Sequence, residues 1–281
     1  MSAGQIVLRR GVRRRVVRGV LLSLALIYVG ILLIAPTVGI LWTVLQDGTQ
    51  LIADTFALPD VQNSFRLTAT IMVITVVVTA FFGVITAWVL ARDNFPGRSI
   101  LNAFVDLPMA VSPVIVGLMA VLLFGRGGWF EPFFAAQGIQ IIFAVPSMVI
   151  VTIFISIPFV IREVTPVLQE IGTDEEEAAK TLGASSIQSF FRVTLPNIKW
   201  ALCYGIALSA ARALGEIGAV LIVSGSLQGM NETATLWILR AIEERQDSQA
   251  YVVALTLAAV SIVLLVAIEF FKHRRTKEIS R

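Results

Sequence analysis

Six apolar runs recur along this chain of 281 residues, at about 20–45, 67–91, 100–124, 141–161, 197–224 and 250–271. Each is long enough, wound as a helix, to cross a hydrocarbon core roughly 30 Å thick. In lipid every backbone amide must find its partner within the chain, so such runs fold as helices rather than as loops or open strands. They leave little chain for a separate soluble unit. Residues 1–281 therefore read as a single all-α integral membrane domain of about six transmembrane helices. The composition agrees: 57% of residues are apolar and 15% charged, with a mean hydropathy of +0.84, against the roughly 45–50% apolar content of soluble domains.

The net charge of +3 does not point to nucleic acid, because the basic residues flank the runs instead of covering a folded, solvated surface. The lone Cys203 and lone His273 exclude a disulfide framework, a Cys/His metal cluster and a histidine-dependent catalytic triad. No cofactor is expected.

Lys and Arg accumulate on the cytoplasmic flanks of spans. Arg9, Arg10, Arg13, Arg14, Arg15 and Arg18 precede the first run, and Arg92 and Arg98 follow the second. Arg162, Lys180, Arg192 and Lys199 lie between the fourth and fifth, and Lys272, Arg274, Arg275, Lys277 and Arg281 close the chain. These seventeen fall on one side of alternating spans, against four (Arg66, Arg126, Arg240 and Arg245) on the other. The asymmetry puts both termini in the cytoplasm. The first run is too long for a signal peptide and lacks a small-residue cleavage site, so it reads as a retained span. Its arginine cluster fixes topology, and can also meet anionic lipid. In the outer loop 225–249, Leu236, Ile238, Leu239 and Ile242 predict a short surface helix, after a sequon at Asn231 that matters only in a glycosylating compartment.

Residues 162–196 form a polar excursion between the fourth and fifth runs, with strong local signals of its own. Thr173 and Glu176 predict a capping box. Asp174, Glu175, Glu176 and Glu177 favour a helix N-terminus, where exposed amides attract negative charge. Ala178 and Ala179 keep the surface low for a close approach, and Gly183 predicts a left-handed end. Ser185 or Ser186 starts a second short helix bearing Ile187, Phe190 and Phe191, which Leu195-Pro196 is expected to stop. Two short helices with an acidic start and an apolar face suit a docking element, or equally a loop packed on its own bundle.

Glu177-Ala178-Ala179, three residues, Gly183, nine residues, then Val193-Thr194-Leu195-Pro196 resembles the EAA motif of ABC importer permeases, E-A-A-x3-G-x9-I-x-L-P. Val193 for isoleucine is the one departure. Phe95-Pro96-Gly97-Arg98, Asp106-Leu107-Pro108, Ala110-Val111-Ser112-Pro113, residues 157–163, residues 192–198 and residues 212–220 are similar to the sulfate/thiosulfate permeases of the CysW type. The resemblance implies a type I ABC importer permease bundle in the bacterial cytoplasmic membrane, whose cytoplasmic loop (about 173–196) carries a coupling helix. It makes Glu177, Ala178, Ala179, Leu182 and Gly183 the contacts to the ATP-hydrolysing subunit. It also implies a pair of ATPase subunits, a second permease of similar fold, and an extracytoplasmic sulfate-binding protein. The chain itself contains no G-x-x-x-x-G-K-[ST] phosphate loop, so ATP must be hydrolysed elsewhere.

Asp106, Arg212 and Glu216 stand out as ionisable residues in apolar runs, where transfer into lipid is costly. Arg212 and Glu216 are spaced i, i+4 and can pair on one helix face. Alternatively Arg212 contributes to an anion path or gate and Glu216 holds it. Pro108 and Pro113, with Ser112 between them, interrupt the third run, which suits either a cavity lining or a packing kink. Gly205, Gly215 and Gly218 suit close helix packing. A stand-alone secondary transporter would need a coupling-ion site and inverted repeats, neither of which is visible. A membrane enzyme would need a convergent catalytic set, which these three residues do not make. The nearest rival is a molybdate/tungstate permease.

Overall fold

The computed structural model describes residues 17–225 and 228–279, with side chains to residue 266 except that of residue 33. Arg9, Arg10, Arg13, Arg14, Arg15 and Arg281 lie outside the described residues, as do the side chains of Lys272, His273, Arg274, Arg275 and Lys277.

In chain order the helices are α1 (Val17–Gln46, with a π turn at Gly30–Ile34), α2 (Thr49–Ala57), α3 (Pro59–Arg92), α4 (Arg98–Ala110), α5 (Pro113–Phe124) and α6 (Glu131–Ala135). They continue as α7 (Val145–Ile171), α8 (Asp174–Thr181), α9 (Ser186–Leu214, with a π turn at Phe190–Thr194), α10 (Gly218–Ser224), α11 (Ala234–Glu243) and α12 (Asp247–Ile279).

By length and apolar composition α1, α3, α7 and α12 can each cross a membrane. The third and fifth runs are broken: α4 meets α5 at 112° and α9 meets α10 at 55°. Val105 of α4 and Ile198 of α9 pack with Leu90, Val164 and Leu168 in one core cluster, at the end that holds α8. Val116 of α5 and Val220 of α10 pack with Ile71, Met148 and Val151 in a second cluster. Counting each pair as one span gives six.

The centre of the bundle is α3, α7 and α9, brought together by two glycines. A Cβ on Gly83 would lie 2.8 Å from Val160 Cγ1, and one on Gly205 would lie 2.9 Å from Val160 Cα. In a solvent where burial of apolar surface drives little association, such close van der Waals approach is what holds helices together. Gly218 likewise packs near Pro113, whereas a Cβ on Gly215 would meet nothing nearer than 3.7 Å. Of the three glycines marked for packing, Gly215 does not serve it. Two buried hydroxyls return to their own helix: Thr152 donates to the Met148 carbonyl and Thr165 to the Ile161 carbonyl, each at 2.7 Å. Thr79 and Ser209 share a hydrogen bond of 3.0 Å between α3 and α9.

The expected helix in the outer loop exists as α11, with one face buried and the other, including Ile242, exposed. Ala234, Trp237 and Ala241 recur on one face and are buried against Val61, Ala250, Val253 and Leu257 of α3 and α12. The fourth helix outlasts its apolar run at 161, because Val164 and Leu168 keep one face buried while Gln169 and Glu170 are exposed. The loop to α9 is therefore shorter than the 162–196 excursion.

Candidate functional site

At the α8 end, Gly172 and Gly183 bracket a two-turn helix, with φ of 63° and 87°. Gly183 takes the left-handed end that its sequence position predicts. The capping box does not form at Thr173: its hydroxyl donates to the Glu177 carboxylate at 2.9 Å. Glu176 instead turns inward, where Arg92 Nη2 donates to its Oε1 at 2.8 Å and Thr194 Oγ1 donates to the same oxygen at 2.9 Å. A charged partner outcompetes a backbone amide for that carboxylate. The capping box forms one helix later. Ser185 Oγ accepts the Gln188 N–H at 3.3 Å, and Gln188 Oε1 accepts the Ser185 N–H at 2.9 Å.

Leu195-Pro196 does not stop this helix. A π turn closed by the Leu195 N–H on the Phe190 carbonyl carries it past Pro196, which has no N–H to offer the ladder. Glu177, Ala178 and Gly183 are exposed and Ala179 is half-buried. Leu182 is 89% exposed, and Ile187 and Phe191 lie uncovered on the same stretch of chain.

In the middle of the bundle the two broken spans touch. Ser112 precedes α5 in extended conformation and Pro113 opens it, so the missing proline N–H falls where a helix leaves amides unpaired anyway. A Cβ on Gly218, two residues beyond Glu216, would lie 3.1 Å from Pro113 Cβ. Arg212 Nη1 lies 2.7 Å from Glu216 Oε2, with side chains 29% and 2% exposed. Glu216 has further duties: its Oε1 accepts the Ala219 N–H at 2.9 Å, at the start of α10, and its carbonyl accepts Thr235 Oγ1 at 2.9 Å. The i, i+4 pair thus forms and also holds the break in the fifth span.

Asp106 is not isolated. Arg162 Nε donates to its Oδ1 at 2.8 Å, joining α4 to α7. Beside this pair Arg98, Ser99, Asn102, Arg162, Thr165 and Gln169 line an open polar cavity of about 410 Å³. At the far end Arg240 Nε and Nη2 donate to the two Glu232 oxygens at 2.7 and 3.0 Å. These bonds raise the guanidinium above its ordinary range against the desolvation that opposes them, and Arg240 stays charged at any working pH.

Residues 80–277 match the family described as binding-protein-dependent transport system inner membrane component. The chain belongs to this family. It is therefore a multi-pass inner-membrane component of a transport system. Its relatives include the sulfate transport system permease protein CysW of Synechocystis sp., 43% identical over 92% of this chain and 94% of that one. CysW of Synechococcus elongatus is 46% identical over 88% of this chain and 86% of that one. Among solved structures, a bacterial alginate ABC transporter in complex with an alginate pentasaccharide-bound periplasmic protein superposes with a TM-score of 0.78. The match covers 95% of this chain and 98% of that one at 18% identity, a likeness of fold. Membership agrees with the type I importer bundle that the sequence motif implies.

Within this family member, sequence reasoning missed Arg92, Thr194 and Arg162 as partners of the marked acidic residues. The pairs Arg92–Glu176 and Asp106–Arg162 lie 84 and 56 residues apart in sequence, and no local spacing signals such contacts.

Proposed function

We propose that the chain is the permease subunit of an ATP-driven importer and, with a second permease of similar fold, forms the path for sulfate, with thiosulfate as a second cargo. The observation that carries the reading is α8: one face is tied into the bundle through Glu176, while Glu177, Ala178 and Leu182 face outward beside uncovered Ile187 and Phe191. Apolar side chains at the polar end of a membrane protein are covered in the working assembly. Glu177, Ala178, Ala179, Leu182 and Gly183 contact the ATPase subunit, which works as a pair. An extracytoplasmic binding protein delivers sulfate, the cargo in the names of the relatives.

Both termini face the cytoplasm, a reading supported by the charge count of seventeen against four and by the placement of α8 at the same end of the bundle as Arg92, Arg98 and Arg162. Ser112, Pro113, Arg212 and Glu216 belong to the translocation path or its gate. The contact between the two broken spans supports this, since interrupted helices in transporters occur where backbone lines a cavity.

Co-purification of the tagged chain with its ATPase, followed by sulfate uptake into proteoliposomes with and without ATP, tests the reading. ATP-dependent uptake is expected, and uptake without the ATPase would contradict it. Replacing Arg212→Gln with Glu216 retained is expected to impair uptake while the assembly stays intact, and normal uptake would remove Arg212 from the path.

A further inference from the structure

Helix α8 is a short arm with a glycine joint at each end. Gly172 and Gly183 both hold positive φ, a region that glycine visits freely and other residues rarely. A two-turn helix between two such joints passes a push to the spans only if something besides its backbone fixes it to them.

That fixing is a buried ion pair with several partners. Arg92 is the last residue of α3. Its Nη2 lies 2.8 Å from Glu176 Oε1 on α8, and the two side chains are 9% and 8% exposed. Its Nη1 donates to the Leu168 carbonyl of α7 at 2.8 Å, and its guanidinium lies 5.9 Å from the Trp88 ring centroid. The same Glu176 oxygen accepts from Thr194 in the π turn of α9 at 2.9 Å. One carboxylate oxygen thus links α8 to α3 and α9, and the arginine extends the link to α7. Consecutive helical residues point about 100° apart, so the acidic run divides its work. Glu176 faces in and Glu177 faces out.

We propose that the Arg92–Glu176 pair makes α8 and the three central spans move as one body, so that displacement of α8 by ATP binding reaches the translocation path instead of being absorbed at Gly172 and Gly183. Arg92 and Glu176 are positioning residues for coupling; they touch neither the ATPase nor the anion. Charge-assisted hydrogen bonds are directional, and an apolar replacement of a buried pair of similar volume often preserves stability, so the two contributions can be separated at this pair. The proposal rests on the permease reading above.

The test uses the complete transporter, with ATPase and binding protein, in proteoliposomes. ATP hydrolysed per labelled sulfate taken up is measured beside the melting temperature, for wild type, Glu176→Gln, Arg92→Met and the double variant Arg92→Met/Glu176→Met. The single variants are expected to raise the ATP used per sulfate roughly 5-fold or more, the scale of a typical coupling energy. The double variant is expected to recover the wild-type melting temperature but not the wild-type ratio, and it carries the test alone if the single variants fail to assemble. Single variants with the wild-type ratio would overturn the proposal. So would a double variant that restores the ratio together with stability, since the pair would then serve stability only. Absence of ATP-dependent uptake by the wild type would overturn the permease reading, and this proposal with it.

Discussion

Val160 has a glycine on either side, and its neighbours show how little room the central helices leave. The contacts a Cβ would make at Gly83 and Gly205 fall on Val160 Cγ1, Cβ and Cα. Truncating Val160→Ala relieves neither position, because Cβ and Cα remain. Gly83→Ala and Gly205→Ala are each expected to destabilise the protein by about 1–3 kcal/mol, the usual cost of overpacking. Gly215→Ala, whose Cβ would meet only the Ala211 carbonyl at an ordinary 3.7 Å, is expected to change little. Thermal melts of the detergent-purified protein check the contrast, and equal effects at all three positions would contradict this account of the packing. At this scale the sequence was partly legible. Arg212 and Glu216 are spaced i, i+4, so a pair between them was readable from spacing, although Glu216 lies in the break after α9 and not on the helix itself. The partner of Glu176 did not, because the acidic run offers four carboxylates and only the tertiary fold selects which one meets Arg92.

Among elements, the segment from α8 into α9 carries the clearest expectations. The positive φ at Gly183 makes Gly183→Ala costly by roughly 1–3 kcal/mol of local strain, borne by the turn rather than by the bundle. The expected outcome is weaker co-purification of the ATPase with little change in melting temperature. Leu182→Asp is expected to act alike, since Leu182 supports nothing within the chain; a pull-down at matched expression measures both. Losing the Ser185 hydroxyl removes a cap worth about 1 kcal/mol, and hydrogen exchange of residues 186–189 is expected to quicken in Ser185→Ala. Gly183 and Ser185 were readable because turn and cap chemistry is local. The Thr173 box was misread because a buried arginine claimed Glu176, and the stop at Pro196 because a π turn absorbs the proline. Neither rival is visible in a window of neighbouring residues.

For the whole molecule, hydropathy locates six apolar runs; four are single helices long enough to cross a membrane, and two are bent pairs that bring the number to six if each is one span. Hydropathy carries no direction: the prolines of the third run signalled an interruption there, but the angles of 112° and 55° and the contact between Pro113 and Gly218 emerged only in three dimensions. α1 shows the complementary limit: its apolar surface is exposed along almost its whole length, as a helix facing lipid or a second permease requires. Substrate is the property least written into this chain. The most direct measurement is therefore uptake of labelled sulfate by cells with and without the gene, competed separately by unlabelled thiosulfate and molybdate. Loss of sulfate uptake on deletion, with thiosulfate competing better than molybdate in the intact cells, is the predicted result. Unchanged sulfate uptake with a fall in labelled molybdate uptake would contradict the sulfate assignment.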